Sequence, residues 1–324
     1  MSKRKFGAIQ DPDLRDELLA SRDYPGVNTL ASRDSELLIR EIDPKRPVVL
    51  LEAVTKLQKD WRRGAQGIGD CLSWAFELGA TVSTATDIVL RKQPWLWRGE
   101  FATEPIYGGA RVETRGKTHG GWSDGASGSG GAAFITRYGC LRRHNYSLIT
   151  GLDEHDLQTY SAEKAKQWGA YGCGGRNDNG LLDNVAMEFP VKECLLVNNA
   201  TDARRAILNG YPVVVCSGQG FTATRDDEGF CKPRGSWAHA MLIVGYFVSP
   251  SGRIGFIIAN SWGVSNKGPC PYSSVKAIQN CSFGVDYDVV DSMLSSWNDS
   301  WLLTGVNGLE RREIKWTEGW ELAA

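Results

Sequence analysis

No C-x-x-C pair occurs among the eight cysteines (71, 140, 173, 194, 216, 231, 270, 281), which argues against a zinc ribbon or a thioredoxin-type redox site. Neither sign of charge is in excess, since 37 Lys and Arg face 38 Asp and Glu for a formal net charge of −1. No broad field therefore exists to recruit nucleic acid or an anionic membrane, and neither is expected as a partner. Long apolar runs are missing as well. The longest, around Ala240 to Val248, falls far short of the roughly 20 residues that cross a bilayer and is interrupted by Gly245. The basic start MSKRK leads into FGAIQDPDLRDELLA, where charges stand in place of the apolar segment of an export signal. Without that signal the thiols are expected to stay mostly reduced and buried. No internal repeat or low-complexity domain is visible.

What is present is a chain of 324 residues, long enough to bury a core without disulfide or metal. Residues 1–55 are charged and rich in turn signals (Pro12, Tyr24-Pro25-Gly26, Asp43-Pro44), with one candidate strand at Val48 to Leu51, and read as an N-terminal arm. Residues 56–190 read as mainly helical. Leu72, Ala75, Phe76 and Gly79 recur at helical spacing in a helix that could run toward Leu90, and Asp70 is a plausible N-cap that sets Cys71 in its first turn. The polar Gly120–Gly131 stretch reads as a loop before a short helix, AAFITRYG, and Ser161 to Trp168 and Leu181 to Met187 are further helical candidates. From 191 to 291 the runs VKECLLV, YPVVVCS, HAMLIVGYFV and GRIGFIIANSWG are β-rich, with one helix at Asp202 to Leu208 capped by Thr201. The segment 292–324 holds four of the twelve tryptophans and could add an edge strand or dock a partner.

Three segments carry chemistry. In QGIGDCLSWAF, Gln66 and a Gly-rich turn run into Cys71 at a helix start, where about half a positive charge lowers a thiol pKa. In WAHAMLIVGY, His239 stands at the mouth of a buried strand. In IIANSWG, Asn260 ends the following strand, so a hairpin would bring its amide beside His239. Each has an ordinary alternative: a buried thiol, a satisfied core histidine, an Asx-turn asparagine, a loop amide. Their joint presence favours a site.

The order and wording of these segments, over roughly residues 56–290, resemble the papain family of cysteine proteases. That resemblance implies an α+β, papain-like two-lobed fold: a helical lobe and an antiparallel β-barrel-like lobe, with the active site in the cleft between them. It implies Cys71 as nucleophile, His239 as base, Asn260 as the residue orienting the imidazole and Gln66 as an oxyanion donor. Trp262 would shield the His–Asn hydrogen bond, and Gly130 and Gly131 would offer backbone to an extended substrate. Cys173 in GCGG follows the helix AAFITRYG and is expected to be structural. No metal or organic cofactor is implied, and the expected partner is a protein or peptide substrate.

The sequence also departs from the family's pattern. The Gln66–Cys71 interval is one residue short, and Leu72-Ser73 intervenes before Trp-Ala-Phe, so alignment on Trp74 would make Ser73 the nucleophile. Cys71 is preferred because serine lacks an accessible thiolate. Ala238 stands where an acidic residue often precedes the histidine. Residues 1–55 lack the long helical pattern of an inhibitory pro-segment, which suggests a bacterial or bacteriophage member, cytoplasmic or virion-associated, that could assemble into a larger particle through its termini. The competing readings are an inert papain-fold binding module, such as a virion component, and a cell-wall peptide hydrolase.

Overall fold

The computed structural model describes residues 6–32, 47–114, 124–176 and 180–312. Helices dominate its first half: α1 (Pro12–Ala20), α2 (Leu51–Leu57), α3 (Cys71–Val89), α4 (Thr103–Arg111), α5 (Gly128–Arg137), α6 (Ser147–Thr150), α7 (Ala162–Tyr171) and α8 (Leu181–Ala186). The longest is α3, apolar or small on nearly every face, and such a helix belongs inside a core. Every residue from Cys71 to Asp87 is indeed buried. Its buried carboxylate is satisfied internally: Glu77 pairs with Arg63 at 2.7 Å and accepts from Thr81 Oγ1 at 3.0 Å. Gly79 lets the sheet approach, since a Cβ there would meet Leu303 Cδ2 at 2.8 Å.

The second half supplies most of one open sheet. Its strands are β1 (Val27–Thr29), β2 (Val48–Val49), β3 (Cys194–Leu196), β4 (Val213–Phe221), β5 (Pro233–Val248), β6 (Ile254–Ala259), β7 (Ser282–Asp286) and β8 (Trp301–Leu303). They run in the order β1-β3-β8-β4-β5-β6-β7, with β2 also on β5. That order has two ends, so the barrel-like lobe is an open sheet. Pairing is antiparallel apart from β1 on β3. Three helices, α9 (Ala200–Leu208), α10 (Lys276–Cys281) and α11 (Tyr287–Trp297), complete the described elements.

Several sequence expectations shift. The arm is woven into the domain: β1 and β2 join the sheet, and Leu14 and Leu18 of α1 are buried. The C-terminal segment adds an interior strand, because β8 lies between β3 and β4. Trp301 and Leu302 were ambiguous in sequence because so short a strand shows no period. The cap of α9 is Asn199, which accepts from Asp202 N at 2.9 Å and lies two residues before Thr201. Helix α5 starts at Gly128, inside the presumed loop, because Ser127 caps it and the buried Asp299 carboxylate accepts from Gly128 N and Ser129 Oγ at 2.8 and 2.6 Å. An anion is stabilised at a helix N-terminus, which compensates four helical residues of low propensity. Residues 120–123 of the Gly-rich stretch, and Trp316 and Trp320, lie outside the described residues. All eight cysteines are free; Cys270 is half-buried and the others are buried.

Candidate active site

Three elements converge on one point. Helix α3 begins at Cys71, β5 carries His239 and the end of β6 leads into Asn260. The β5–β6 register pairs Leu242 with Ala259, which draws Asn260 back along the hairpin toward His239. His239 Nε2 and Asn260 Oδ1 are 3.0 Å apart. The same oxygen accepts from Ser261 N at 2.7 Å, which fixes the amide with its oxygen toward the ring. Nε2 must then be the donor, so the proton-accepting nitrogen of a neutral His239 is Nδ1. Trp262 stacks on the imidazole with centroids 4.6 Å apart and planes 24° from parallel. The Cys71 sulfur accepts from the amide of Ala240, the residue after His239, at 3.4 Å.

Gln66 is tied into the same constellation. Its backbone N–H donates to Ser261 O at 2.8 Å, its Oε1 accepts from Ser261 Oγ at 2.5 Å and its Nε2 donates to Ile68 O at 2.8 Å. The rival nucleophile is placed elsewhere: Ser73 Oγ donates to Asp70 O at 2.8 Å within the first turn of α3. Gly130 and Gly131 are corrected outright. Both are buried inside α5, where a Cβ would strike Ala110 O at 2.6 Å and the Phe76 ring at 2.5 Å, so they serve helix packing and present no backbone to a cleft.

Comparison of the whole backbone with solved structures identifies the fold. The digestive procathepsin L2 proteinase of Tenebrio molitor larval midgut superposes with a TM-score of 0.53 at 11% identity, over 93% of this chain and 78% of that one. The fold is papain-like. Also similar are the proform of the Amb a 11 cysteine protease of ragweed pollen (TM-score 0.47, 13% identity, 85% of this chain and 72% of that one) and the bromelain protease of Ananas comosus (0.46, 13%, 80% and 99%). No family model and no curated protein matches the sequence.

Within this papain-like fold the electrostatics of the resting site are unusual. Cys71 is fully buried, and burial pushes its thiol up to about 12; the carboxylate of Asp70 pushes the same way, while the amides of Ala240 and Gly7 oppose it. Asp70 occupies the N-cap position but makes no side-chain cap. Its Oδ2 accepts from Tyr160 Oη at 2.8 Å and Trp74 Nε1 at 3.2 Å, and burial raises it to about 7 despite these donors. Tyr160 Oη also accepts from Gly67 N at 3.0 Å, so one tyrosine holds both ends of the turn between Gln66 and Cys71. This Asp70–Tyr160 link was not readable from sequence, since 90 residues separate the partners.

Residues 6–9 pack beside this site. Gly7 N and Ala8 N donate to Ala238 O at 3.0 and 3.1 Å; Ala126 N donates to Gly7 O at 2.9 Å and Ile9 N to Ala126 O at 3.0 Å. Phe6 lies against Trp237, His239 and Trp262 with centroid distances of 6.0, 6.0 and 5.8 Å. Sequence reasoning passed over Trp237, although its spacing of two from His239 puts both on one face of β5. Among the described residues no group of three or more His, Cys, Asp and Glu side chains could hold a metal, and no helix is long and apolar enough to cross a membrane.

Proposed function

We propose that this chain is a papain-like cysteine peptidase that hydrolyses peptide or isopeptide bonds through an acyl-thioenzyme. The observation that carries this reading is the convergence of α3, β5 and β6, with the Cys71 sulfur beside the residue after His239 and Nε2 of that histidine bound to Asn260. His239 Nδ1 takes the thiol proton, the thiolate attacks the carbonyl carbon, and a C–S bond forms. The C–N bond then breaks as the imidazolium protonates the leaving amine. Water, deprotonated by the same nitrogen, cleaves the thioester to carboxylic acid and thiol. Gln66 Nε2 and the Cys71 backbone N–H would donate to the oxygen as it becomes negative. Trp262 excludes water from the His–Asn bond and forms part of the wall against which a substrate side chain rests. Cys71 is fully buried, and burial pushes its thiol up to about 12.

The experiment is hydrolysis of denatured casein, with peptide products mapped by mass and with iodoacetamide-treated protein as control. Hydrolysis that survives complete alkylation of Cys71 would refute the thiol mechanism. For Gln66→Ala, kcat is expected to fall by roughly 10²-fold or more with little change in KM, as for loss of one oxyanion donor; a change confined to KM would make Gln66 a binding residue. For Asn260→Ala, slower turnover with a melting temperature near that of the parent is expected, because the amide orients a ring and supports no core. A large drop in melting temperature would assign Asn260 a structural role instead.

A further inference from the structure

The turn from Gln66 to Cys71 joins the two groups that would donate to the developing oxyanion, and it contains Gly67 and Gly69, whose backbones are intrinsically free. Both glycine amides are nonetheless held by side chains from elsewhere in the chain. Gly67 N donates to Tyr160 Oη at 3.0 Å and Gly69 N to Asp124 Oδ2 at 3.0 Å. We infer that Tyr160 is a positioning residue for the hydrolysis, its hydroxyl fixing the spacing between Gln66 Nε2 and the Cys71 N–H by accepting from Gly67 and donating to Asp70. The inference rests on the peptidase reading above and adds to it a residue outside the Cys, His, Asn and Gln set.

Tyr160 Oη donates to Asp70 Oδ2 at 2.8 Å, and the same oxygen accepts from Trp74 Nε1 at 3.2 Å. Asp70 immediately precedes Cys71, so anchoring its side chain anchors the first peptide unit of α3. An aspartate at that position ordinarily accepts from an amide of the first turn, but Asp70 makes no such bond. Its other oxygen, Oδ1, is buried with no hydrogen-bond partner among the described residues. The carboxyl is committed to Tyr160 and Trp74 at the expense of capping, a local rule broken where function compensates. Tyr160 is itself firmly held. Its ring meets Trp74 edge-on with centroids 4.9 Å apart, and the next amide, Ser161 N, donates to the buried Glu104 Oε1 at 2.9 Å. Glu104 in turn pairs with Arg143 at 2.7 Å. The turn also packs closely on the start of α7, since a Cβ on Gly67 would meet Ala162 Cβ at 2.5 Å. Burial, and then the neighbouring Asp70, push the phenol above its ordinary range, so it keeps the proton it donates. One hydrogen then serves Asp70 and a lone pair serves Gly67.

The test compares the full chain with Tyr160→Phe, which keeps the ring on Trp74 and removes only the oxygen, using a peptide that spans a mapped casein cleavage site. The kcat is expected to fall by roughly 10-fold to 100-fold with KM within about twofold, since misplacing a reacting group by about 1 Å costs on the order of 10² in rate. Amide hydrogen exchange at Gly67 should rise by about tenfold or more at a melting temperature within a few degrees of the parent, because only local opening is released. Asp70→Asn, which keeps an oxygen for Tyr160 and Trp74, should recover most of the rate that Asp70→Ala loses. Unchanged kcat in Tyr160→Phe, a change confined to KM, or a lost rate matched by a large fall in melting temperature would overturn the inference. So would an Asp70→Asn chain as impaired as Asp70→Ala. The two readings fail differently: an active parent with unchanged kcat in Tyr160→Phe sinks this inference alone. A parent that cleaves no peptide sinks the peptidase reading and, with it, the catalytic role of Tyr160, whatever the exchange at Gly67 shows.

Discussion

Cys71→Ala is expected to abolish peptide hydrolysis, on the order of 10³-fold or more, because no other group can form the acyl bond. Ser73→Ala is expected to keep most of it. The two residues competed in sequence because Trp-Ala-Phe aligns better on Ser73, but the hydroxyl of Ser73 is committed to the Asp70 carbonyl one turn back. Only the Cys71 sulfur meets the β5 backbone beside His239. Losing the serine's hydrogen bond should cost about 1 kcal/mol of stability and little rate. Steady-state kinetics of both variants decide the matter. Survival of activity in Cys71→Ala with loss in Ser73→Ala would move the nucleophile two residues along the helix.

Arg225→Ala is expected to destabilise the protein by about 3–5 kcal/mol, since a buried guanidinium would leave several carbonyls without a donor. Its Nε donates to Pro269 O at 2.8 Å, Nη1 to Gln279 O and Ser282 O at 2.8 and 2.5 Å, and Nη2 to Gly268 O at 2.8 Å. These four acceptors belong to the loop, α10 and β7 that follow the Asn260 turn, so one side chain ties the irregular backbone behind the site to the sheet. Arg225→Lys should recover only part of the loss, because one ammonium cannot reproduce the planar fork. Urea denaturation gives the measurement, and a loss under about 1 kcal/mol would mean that water replaces the guanidinium at little cost.

Local signals in the sequence were strong where one element contains the whole cause. The apolar spacing after Asp70 yields α3 from Cys71 to Val89, and the apolar run through HAMLIVGY yields the buried part of β5, with His239 where its exposed start gives way to buried residues. Two β-rich runs joined by a Ser-Pro-Ser-Gly turn are enough to bring Asn260 to His239. The signals failed where the cause lies far along the chain. Gly130 and Gly131 read as loop because glycine disfavours helix, and the compensating Asp299 stands 171 and 170 residues from the Gly128 and Ser129 that it binds. The pairing of Gly7 and Ala8 with Ala238, and of Gly7 and Ile9 with Ala126, was equally hidden, because so short a stretch shows no periodicity at all.

The sequence by itself therefore determined the elements, the thiol at a helix start, and the histidine and asparagine on neighbouring strands, because these follow from periodicity and short-range turns. Only the tertiary structure decided that the Cys71 sulfur meets the amide of Ala240, that Tyr160 binds Asp70, that β8 lies inside the sheet, and that Gly7 and Ala8 pair with Ala238. Each of those is a contact between residues far apart in the chain. Closing such long loops costs entropy that no local pattern encodes, and it is repaid by burial and hydrogen bonds that exist only once the whole domain has formed.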